Sequence, residues 1–522
     1  MVSKSVSRGH RALFGLTAAL TATALGLSAC TTGSGASGKT GKTDTIRTAM
    51  LADPNTFDPT KVSGVSAYQS GSLLYGTLVY QDPDDALAPG IASEFNGEPK
   101  HQEYTIREGL TCADGTPLTA TVVKNSLDHF AKSGQKFLAF GPSTPKISAD
   151  DDTRKVSVDL DVGWANAARG LTMVESAIVC PAGLEDPEGM AQGTVEGAFS
   201  GPYTLTDNKP GTALEFTLRE DGYTFPEYKN ELAGTPPKKI NYAINGDQNA
   251  VANGLLTGTY DVANVSGEAM TRFDGKDGFL TERYPSATLF VLFNERPGRM
   301  MAKKENRVAV AQALNRKTFT QTTSGGLSDV FNSFVSDDVE CAVTDDSSVI
   351  KQDDAAAKKV LAGQKIRLIG TQSVGPNGAG NSYVAQALEA VGAKVDVKIA
   401  DNTTWAAETY KDSWDVTVMA SLNLSRTMPG GLNPFVGLSV DDGGRNITGA
   451  VHQNIVDQQL AGMATDDAGE RCKIYGQMQH SLNRDAVVIP LSAVTTQITS
   501  REGFKSIRAN GTVPVVAMRI TE

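Results

Sequence analysis

The chain has 522 residues, which is long enough for two or three domains. Its hydrophobic content of 40% and charged content of 20% are those of a globular protein and exclude a disordered or fibrous one. The formal net charge of −11 argues against a nucleic-acid partner and against a polybasic patch that binds membranes.

Residues 1–29 have the pattern of a secretory signal peptide, with three cations followed by a mostly apolar run. The run ends in LSAC, which resembles a bacterial lipobox and predicts cleavage before Cys30 and lipid attachment to its sulfur. The mature protein is then extracytoplasmic and lipid-anchored to the outer face of the cell membrane. An uncleaved N-terminal helix and a plain signal peptide are the alternatives.

The stretch GSGASGKT, residues 33–40, fits the phosphate-binding pattern G-x-x-x-x-G-K-[ST]. A phosphate loop needs a buried strand before it and a helix after it, and neither is indicated here. The composition instead favours a flexible tether over residues 30–43.

Strand and helix patterns alternate through the first half of the mature chain. In chain order we predict a strand at IRTAML, a turn at DPNTFDPT, a helix-like segment within residues 65–79, a strand at EYTIREGL and a helix at TATVVKNSLDHFAKS, capped by Thr119 or Thr121. Two strand–turn–strand units follow, at residues 147–160 and 201–221. The pattern excludes an all-helical protein.

The second half carries a β-α-β signal. A helical pattern runs from Asn306 to a glycine stop at Gly325, then IRLIG predicts a strand, NSYVAQALEAVG a helix, and AKVDVKIA and WDVTVMA two further strands. Near the C-terminus, RCKIYGQMQHSLNRDAVVIPLS predicts a helix that leads into a strand. The class is therefore α/β or α+β.

No motif argues for an enzyme or a cofactor. The loop GTQSVGPNGAGNSY has glycines in the reverse order of the dinucleotide fingerprint, although its amides suit a ligand carboxylate. The five histidines form no H-E-x-x-H motif, and no G-x-S-x-G motif occurs. We therefore predict no catalytic residue, no metal site and no cofactor.

Four cysteines remain after Cys30, and none forms a C-x-x-C pair: Cys112, Cys180, Cys341 and Cys472. Export favours disulfides, for which the sequence allows three pairings, over buried free thiols.

Six segments, in this order, resemble the type-5 solute-binding lipoproteins of ABC importers, the oligopeptide- and dipeptide-binding family. They are NTFDP from Asn55, LLYGTLVYQDPDDALAPGIASEF, EYTIREGLTCADGTPLTATVVKNSL, GPY from Gly201, LFNERPGRMMAKKENRVAVAQALNR and RCKIYGQMQHSLNRDAVVIPL. The resemblance covers most of residues 45–520. It implies an α/β fold, a two-lobed clamshell like the class II periplasmic binding proteins, with an extra subdomain in lobe one.

The resemblance also implies a domain layout. Lobe one takes residues 44–288 and 488–522, and lobe two takes residues 289–487, with crossing strands near 288–293 and 487–491. This layout pairs Cys112 with Cys180 and Cys341 with Cys472, because a bridge across the cleft would oppose closure.

The implied function is capture of a peptide or peptide-like solute by lobe closure and its delivery to a membrane permease. We expect a monomer whose partners are the ligand, the ABC permease and, through it, an ATPase. The alternatives are a non-peptide solute, such as a metal chelate or an oligosaccharide-like molecule, and a surface hydrolase.

The segment after Asp415 is where peptide binders of this family place the acid that holds the peptide amine. Here Leu424 and Ser425 stand at that place, beside Arg426, which we expect to receive an anionic group unless it is a plain surface residue. An unpaired buried ammonium is costly, so the missing acid disfavours an ordinary free-amine peptide.

Four other residues complete the expected ligand-binding set. Trp405 matches a family tryptophan that lines the cleft, although it also suits the core of lobe two. The same role is predicted for Asn423, and for Asn55 and Phe57 in the N-terminal turn.

Overall fold

The structure, a computed structural model, describes residues 43–230, 232–442, 444–508 and 517–521. The predicted signal peptide, Cys30 and the tether up to residue 42 lie outside the described residues. None of the described helices is both long and apolar enough to cross a membrane.

The described residues form 18 β-strands. These are β1 Thr45–Met50, β2 Val79–Gln81, β3 Leu87–Pro89, β4 Ala92–Glu98, β5 His101–Ile106, β6 Lys146–Asp150, β7 Lys155–Asp159, β8 Tyr203–Lys209, β9 Ala213–Leu218, β10 Lys239–Ile244, β11 Val262–Ser266, β12 Phe279–Phe293, β13 Lys365–Thr371, β14 Lys394–Ala400, β15 Val416–Ser421, β16 Ile489–Arg501, β17 Phe504–Lys505 and β18 Arg519–Ile520.

The same residues form 15 α-helices. These are α1 Val65–Leu74, α2 Ala120–Phe130, α3 Phe137–Phe140, α4 Ala167–Gly170, α5 Pro181–Glu185, α6 Pro187–Gln192, α7 Gln248–Thr257, α8 Lys304–Ala313, α9 Arg316–Ser324, α10 Asp354–Leu361, α11 Ala379–Ala390, α12 Asn402–Thr409, α13 Met428–Leu432, α14 Gln453–Ala464 and α15 Ala468–Arg484.

Most predicted elements form where the sequence indicates them, with one helix divided in two. The pattern from Asn306 to Gly325 becomes α8 and α9, because the chain leaves the helical conformation at Leu314 and Asn315. The Asn315 side chain then caps α9 by accepting a hydrogen bond from the Thr318 backbone N–H. Of the two cap candidates for α2, Thr119 is the one that caps it.

The first part of the chain builds two four-stranded sheets with separate cores, in addition to the β2–β3 hairpin. One has the strand order β1-β10-β9-β8, with β1 parallel to β10, and packs on a core that includes Phe216 and Tyr242. The other is an antiparallel sheet, β4-β5-β7-β6, covered by α2 and centred on residues such as Tyr104 and Leu127. This second unit is the extra subdomain.

The central sheet has the order β11-β16-β12-β15-β13-β14 and runs through both lobes. Its two long strands, β12 and β16, pair antiparallel from Phe279 opposite Arg501 to Val291 opposite Ile489. β16 also pairs with β11, while the last six residues of β12 pair with β15 in the part of the sheet that carries β13 and β14. The register shifts between Pro285 and Ala287, where the strands pass from one part to the other.

Lobe two, the part built around β13, β14 and β15, buries both faces of this sheet. Along β12, Leu289, Val291 and Phe293 enter one core, and the alternate residues Phe290 and Leu292 enter the other. Helices cover both faces, which explains the uninterrupted apolar run LFVLF. The exact lobe limits stay a prediction.

Both disulfides are present with the pairing that the family resemblance implies. Cys112 bonds Cys180 in the first part of the chain, with 6.0 Å between their Cα atoms. Cys341 bonds Cys472 in lobe two, with 4.7 Å between their Cα atoms. Each bridge therefore stabilises one lobe and leaves the lobes free to move relative to each other.

The two lobes share one anchoring device, an aspartate placed directly before a strand. Asp261 precedes β11 and accepts hydrogen bonds from Arg47 on β1: from its backbone N–H (2.9 Å), its Nε (3.0 Å) and its Nη2 (2.6 Å). Asp415 precedes β15 and accepts the same three bonds from Arg367 on β13, at 2.8, 2.9 and 2.8 Å. Both aspartates are buried, so each locks its strand to its neighbour.

Substitution of either aspartate is expected to destabilise the fold. Asp261→Asn or Asp415→Asn leaves the arginine without its charged acceptor, and we expect a loss of about 3 kcal/mol in the free energy of unfolding, the low end for a broken buried pair because the arginines are half-exposed. Urea unfolding measures this loss.

The control for these variants is Asp207→Asn, which breaks an exposed pair with Lys209 and is expected to cost less than about 0.5 kcal/mol. If Asp261→Asn and Asp207→Asn unfold at the same urea concentration, the anchoring role is wrong.

Candidate functional site

The loop that follows β15, residues 422–427, contacts the β2–β3 hairpin of lobe one. The side-chain amide of Gln81 on β2 donates a hydrogen bond to the backbone carbonyl of Ser425 over 3.3 Å, and both residues are buried. Asn423 holds the loop from within, since its Nδ2 donates to the Thr427 carbonyl (2.8 Å) and its Oδ1 accepts from the Ser425 hydroxyl (3.2 Å). The loop therefore meets lobe one with a fixed backbone.

Arg426 lies between a carboxylate of each lobe. Its Nε is 3.1 Å from Oδ1 of Asp85 in the β2–β3 hairpin, close enough for an ion pair but poorly directed for a hydrogen bond. Its Nη2 is 3.2 Å from Oδ2 of Asp338 in lobe two and donates to the Asp338 carbonyl over 3.1 Å. With a side chain only 11% exposed, Arg426 joins the lobes, and its charge is already balanced by two acids.

Other arginines hold both of these acids in place. Nη1 of Arg169 is 3.1 Å from Oδ1 of Asp85, and its Nη2 donates to the Asp85 carbonyl over 2.7 Å. Nη1 of Arg508 donates to Oδ2 of Asp338 over 2.9 Å. Arg508 follows β17, whose Phe504 packs on the core of lobe one, so this ion pair also crosses between the lobes.

The charge balance keeps Asp338 ionised. Burial alone would raise the pKa of its carboxyl group, but the Ser336 hydroxyl, Arg426 and Arg508 together hold that pKa below its ordinary value. The ion pairs of Asp338 therefore persist at neutral pH and weaken in acid, where this carboxylate gains a proton.

A second polar cluster is formed by α1 and the short turn Val174–Ser176, on which a charge of lobe two acts. The carboxyl group of Glu175 is buried and accepts a hydrogen bond from the Tyr68 hydroxyl on α1. Burial raises the pKa of Glu175 to about 7, and it raises the pKa of Tyr68 well above its usual value. Arg445 of lobe two acts on both groups through its charge and donates a hydrogen bond to Gln135 of lobe one.

Helix α14 provides a third contact between the lobes. Met463, near its end, lies in the core of the subdomain, and its backbone carbonyl accepts a hydrogen bond from the Ala165 N–H over 2.7 Å. Lobe two is thus in contact with lobe one at the hairpin, at Gln135 and at the subdomain, and the charge of Arg445 acts on the Glu175 turn.

The N-terminal pair of predicted ligand-binding residues contacts lobe one. Asn55 closes its turn, as its Oδ1 accepts from the Ser63 N–H (3.0 Å) and its Nδ2 donates to the Lys61 carbonyl (3.1 Å). Phe57 is 6% exposed and packs on the core of lobe one. Their ligand-binding role stays a prediction.

The other three predicted residues, Trp405, Asn423 and Arg426, lie in lobe two around β15. The indole Nε1 of Trp405 donates to the hydroxyl of Thr417 on β15 over 2.8 Å, and its half-buried ring packs on the core of the lobe. The structure thus separates Asn55 and Phe57 from these three, and their role too stays a prediction.

Three polar residues between the lobes did not emerge from the sequence: Gln81, Asp85 and Glu175. Glu175 could have been predicted from the sequence. It interrupts the apolar run MVESAIV, and a charged residue within such a run indicates a buried charge. Gln81 and Asp85 could not have been predicted, since their partners are distant in the sequence.

One group in the described residues has the geometry of a metal site, namely Glu340 with Cys341 and Cys472. The two cysteines are joined in a disulfide, so their sulfur atoms are not free thiolates. This group therefore offers no metal site in the oxidised protein.

Residues 86–442 match the bacterial extracellular solute-binding proteins, family 5, middle region. A solved substrate-binding protein from Microbacterium hydrocarbonoxydans, complexed with 4-hydroxybenzoate hydrazide, is 34% identical with a TM-score of 0.83 and covers 92% of this chain and 100% of that chain. A dipeptide-binding protein from Pseudoalteromonas sp. SM9913, in complex with Met-Leu, shares the fold at 16% identity, with a TM-score of 0.76 and coverage of 91% and 100%.

Among curated proteins, Protein XP55 of Streptomyces lividans is 24% identical over 59% of this chain and 56% of its own length. The chain spans about half the length of the curated relatives that it matches. The family match over more than half of the chain and the solved relatives confirm both the family resemblance and the two-lobed fold. This protein belongs to family 5 of the bacterial extracellular solute-binding proteins.

Proposed function

We propose that this protein is the substrate-binding component of an ABC importer, which captures a small solute between its lobes and delivers it to a membrane permease. The observation that supports this most is the polar face between the lobes, where Arg426 reaches Asp85 and Gln81 reaches Ser425. Contacts of this kind form when the lobes close and break when they open, which is the motion that capture and release require.

The loop after β15 offers no acid for a peptide amine. Leu424 and Ser425 are buried at the predicted place, the next acid in the chain is Asp441, and Arg426 is neutralised by its own partners. This disfavours a free-amine peptide held by this loop, and equally an anionic group held by Arg426. We infer a peptide-like or other small organic solute that is held by different groups.

The bound hydrazide of the Microbacterium relative makes a small aromatic solute a useful probe for this chain. The dipeptide-binding protein from Pseudoalteromonas is more distant, at 16% identity, so its Met-Leu ligand supports the choice of probe less than the hydrazide does. A nickel–histidine complex and maltose serve as probes for the metal-chelate and sugar alternatives.

Anchoring and partners are part of the same proposal. A lipid on Cys30 and the tether up to residue 43 would keep the protein near its permease and raise the effective concentration of loaded receptor. We propose a monomer that acts without a catalytic step, and turnover of a bound solute would contradict this.

A thermal-shift screen tests the solute class. The probes are a dipeptide, its N-acetyl form, 4-hydroxybenzoate hydrazide, 4-hydroxybenzoate, maltose and a nickel–histidine complex. A solute at 100 times its dissociation constant stabilises the fold by about 2.7 kcal/mol, so binding raises Tm measurably. We expect the hydrazide or a dipeptide form to raise Tm, and absence of a shift with every probe would contradict the receptor function.

Loss of the contact between Arg426 and Asp85 is expected to favour the open form. Asp85→Asn removes a half-buried ion pair of about 1 kcal/mol, so the ratio of closed to open protein falls roughly fivefold and the apparent affinity for the solute falls with it. Fluorescence energy transfer between dyes on the two lobes reports the closed fraction.

The matched control is Asp84→Asn, which makes the same charge change at an exposed neighbouring residue and leaves the dye distance unchanged. Equal distances in the Asp85→Asn and Asp84→Asn proteins would show that this ion pair does not hold the lobes together.

The anchor is tested by Cys30→Ser in cells. We expect the wild-type protein in the detergent phase of a Triton X-114 extract and the variant in the aqueous phase, because a single residue carries the lipid. Thr31→Ala is the control and keeps the wild-type behaviour. Partition of the Cys30→Ser protein into detergent would rule out lipidation at this residue.

A further inference from the structure

Glu175 is a buried acid whose hydrogen bonds are only half satisfied. One carboxyl oxygen, Oε1, accepts the Tyr68 hydroxyl, whereas no described residue donates to Oε2. The residue is 2% exposed, so solvent has little access to that oxygen. Buried carboxylate oxygens normally have a donor, so Oε2 is open to a donor that the described residues do not supply.

The position of Glu175 is suited to a ligand that binds between the lobes. Its turn packs against α1 in lobe one, and the charge that acts on it from the other side belongs to Arg445 of lobe two. Arg445 nevertheless directs its hydrogen bond to Gln135, so it lowers the cost of the buried charge without occupying Oε2. Glu175 therefore lies between α1 of lobe one, against which its turn packs, and the charge of Arg445 from lobe two.

The remaining charges near this turn do not compete for Oε2. Two cations lie on elements packed against it, and both are paired with other acids: Lys61 with Asp58 at 2.9 Å, and Lys124 with Asp128 at 2.5 Å. Tyr68 has its only hydroxyl proton committed to Oε1.

We propose that Glu175 is a ligand-binding residue, and that its Oε2 accepts a hydrogen bond from an N–H group of the captured solute, such as an amide or a hydrazide. This inference rests on the proposed function and specifies the chemistry of its ligand. An acceptor of this kind repels carboxylates and phosphates. Arg445 nearby also disfavours a second full cation, so an uncharged N–H donor fits better than an ammonium group.

The proposal carries a pH dependence with a defined sign. Glu175 titrates at about 7 in the folded protein, and the ionised carboxylate is the stronger acceptor. Protonation competes with the ligand below that value, so affinity falls as the pH drops from 8 to 6, by up to about tenfold. A purely structural role for Glu175 would not make binding of an uncharged solute depend on pH in this way.

The test compares wild-type protein with Glu175→Gln, which keeps the size and one acceptor oxygen but loses the charge. The probes are 4-hydroxybenzoate hydrazide, its matched carboxylate, a dipeptide, its N-acetyl form and maltose, measured by calorimetry at pH 6 and pH 8. We expect wild-type protein to bind the hydrazide or an amide-bearing probe. The affinity of Glu175→Gln for the same probe should be about tenfold lower and should not change between pH 6 and pH 8. Glu108→Gln, a change at an exposed acid of lobe one, serves as the control and binds like wild type.

Three results would overturn the proposal: equal affinity of a probe for wild type and Glu175→Gln, binding of the carboxylate in preference to the hydrazide, or binding of none of the N–H probes. If maltose binds while the N–H probes do not, the receptor function stands and only the role of Glu175 falls. If no probe binds at all, both the receptor function and the ligand-binding role of Glu175 are wrong. Circular dichroism of Glu175→Gln confirms that the variant is folded, and a Glu175→Ala protein gives a second measurement if it is not.

Discussion

The pairing of β12 with β16 is the constraint on which the rest of the structure depends. These strands form one antiparallel ribbon that begins beside β11 in lobe one and ends beside β15 in lobe two. Such a ribbon resists sliding, because sliding would break its hydrogen bonds, but it bends and twists at low cost. One of its two register shifts, the one between Pro285 and Ala287, interrupts the ribbon between the two cores, where a hinge is needed.

With the ribbon fixed, the contacts far from it decide whether the lobes are together. Three of those contacts are polar, namely Arg426 with Asp85, Gln81 with Ser425, and Arg508 with Asp338, while Met463 of α14 makes an apolar contact at the subdomain. An ion pair near the surface contributes only about 1 kcal/mol, so such contacts steer the lobes into register without locking them. A receptor that must release its solute requires this modest strength, because a large apolar interface would hold the lobes shut.

Local patterns in the sequence predicted most elements and missed the contacts between them. The glycine after α9 and the threonine before α2 act through neighbours in the chain, so they are readable from the sequence. Asp415 was recognised as part of its strand, but its bonds to Arg367 depend on which strand lies alongside. The ligand-binding role predicted for Arg426 took no account of Asp85, which is 341 residues away.

The location of Glu175 in lobe one determines the order in which a solute would meet the two lobes. In the loop after β15 an acid would move with lobe two, whereas Glu175 belongs to lobe one and is held by Tyr68 whether or not lobe two is near. A solute can then bind this carboxylate first in the open form. Closure adds the positive charge of Arg445 beside the same carboxylate, which penalises a cationic solute and spares an uncharged N–H donor. Closure of the second lobe thus disfavours cationic solutes, so selectivity between charged and uncharged solutes arises in the closing step rather than in the first contact.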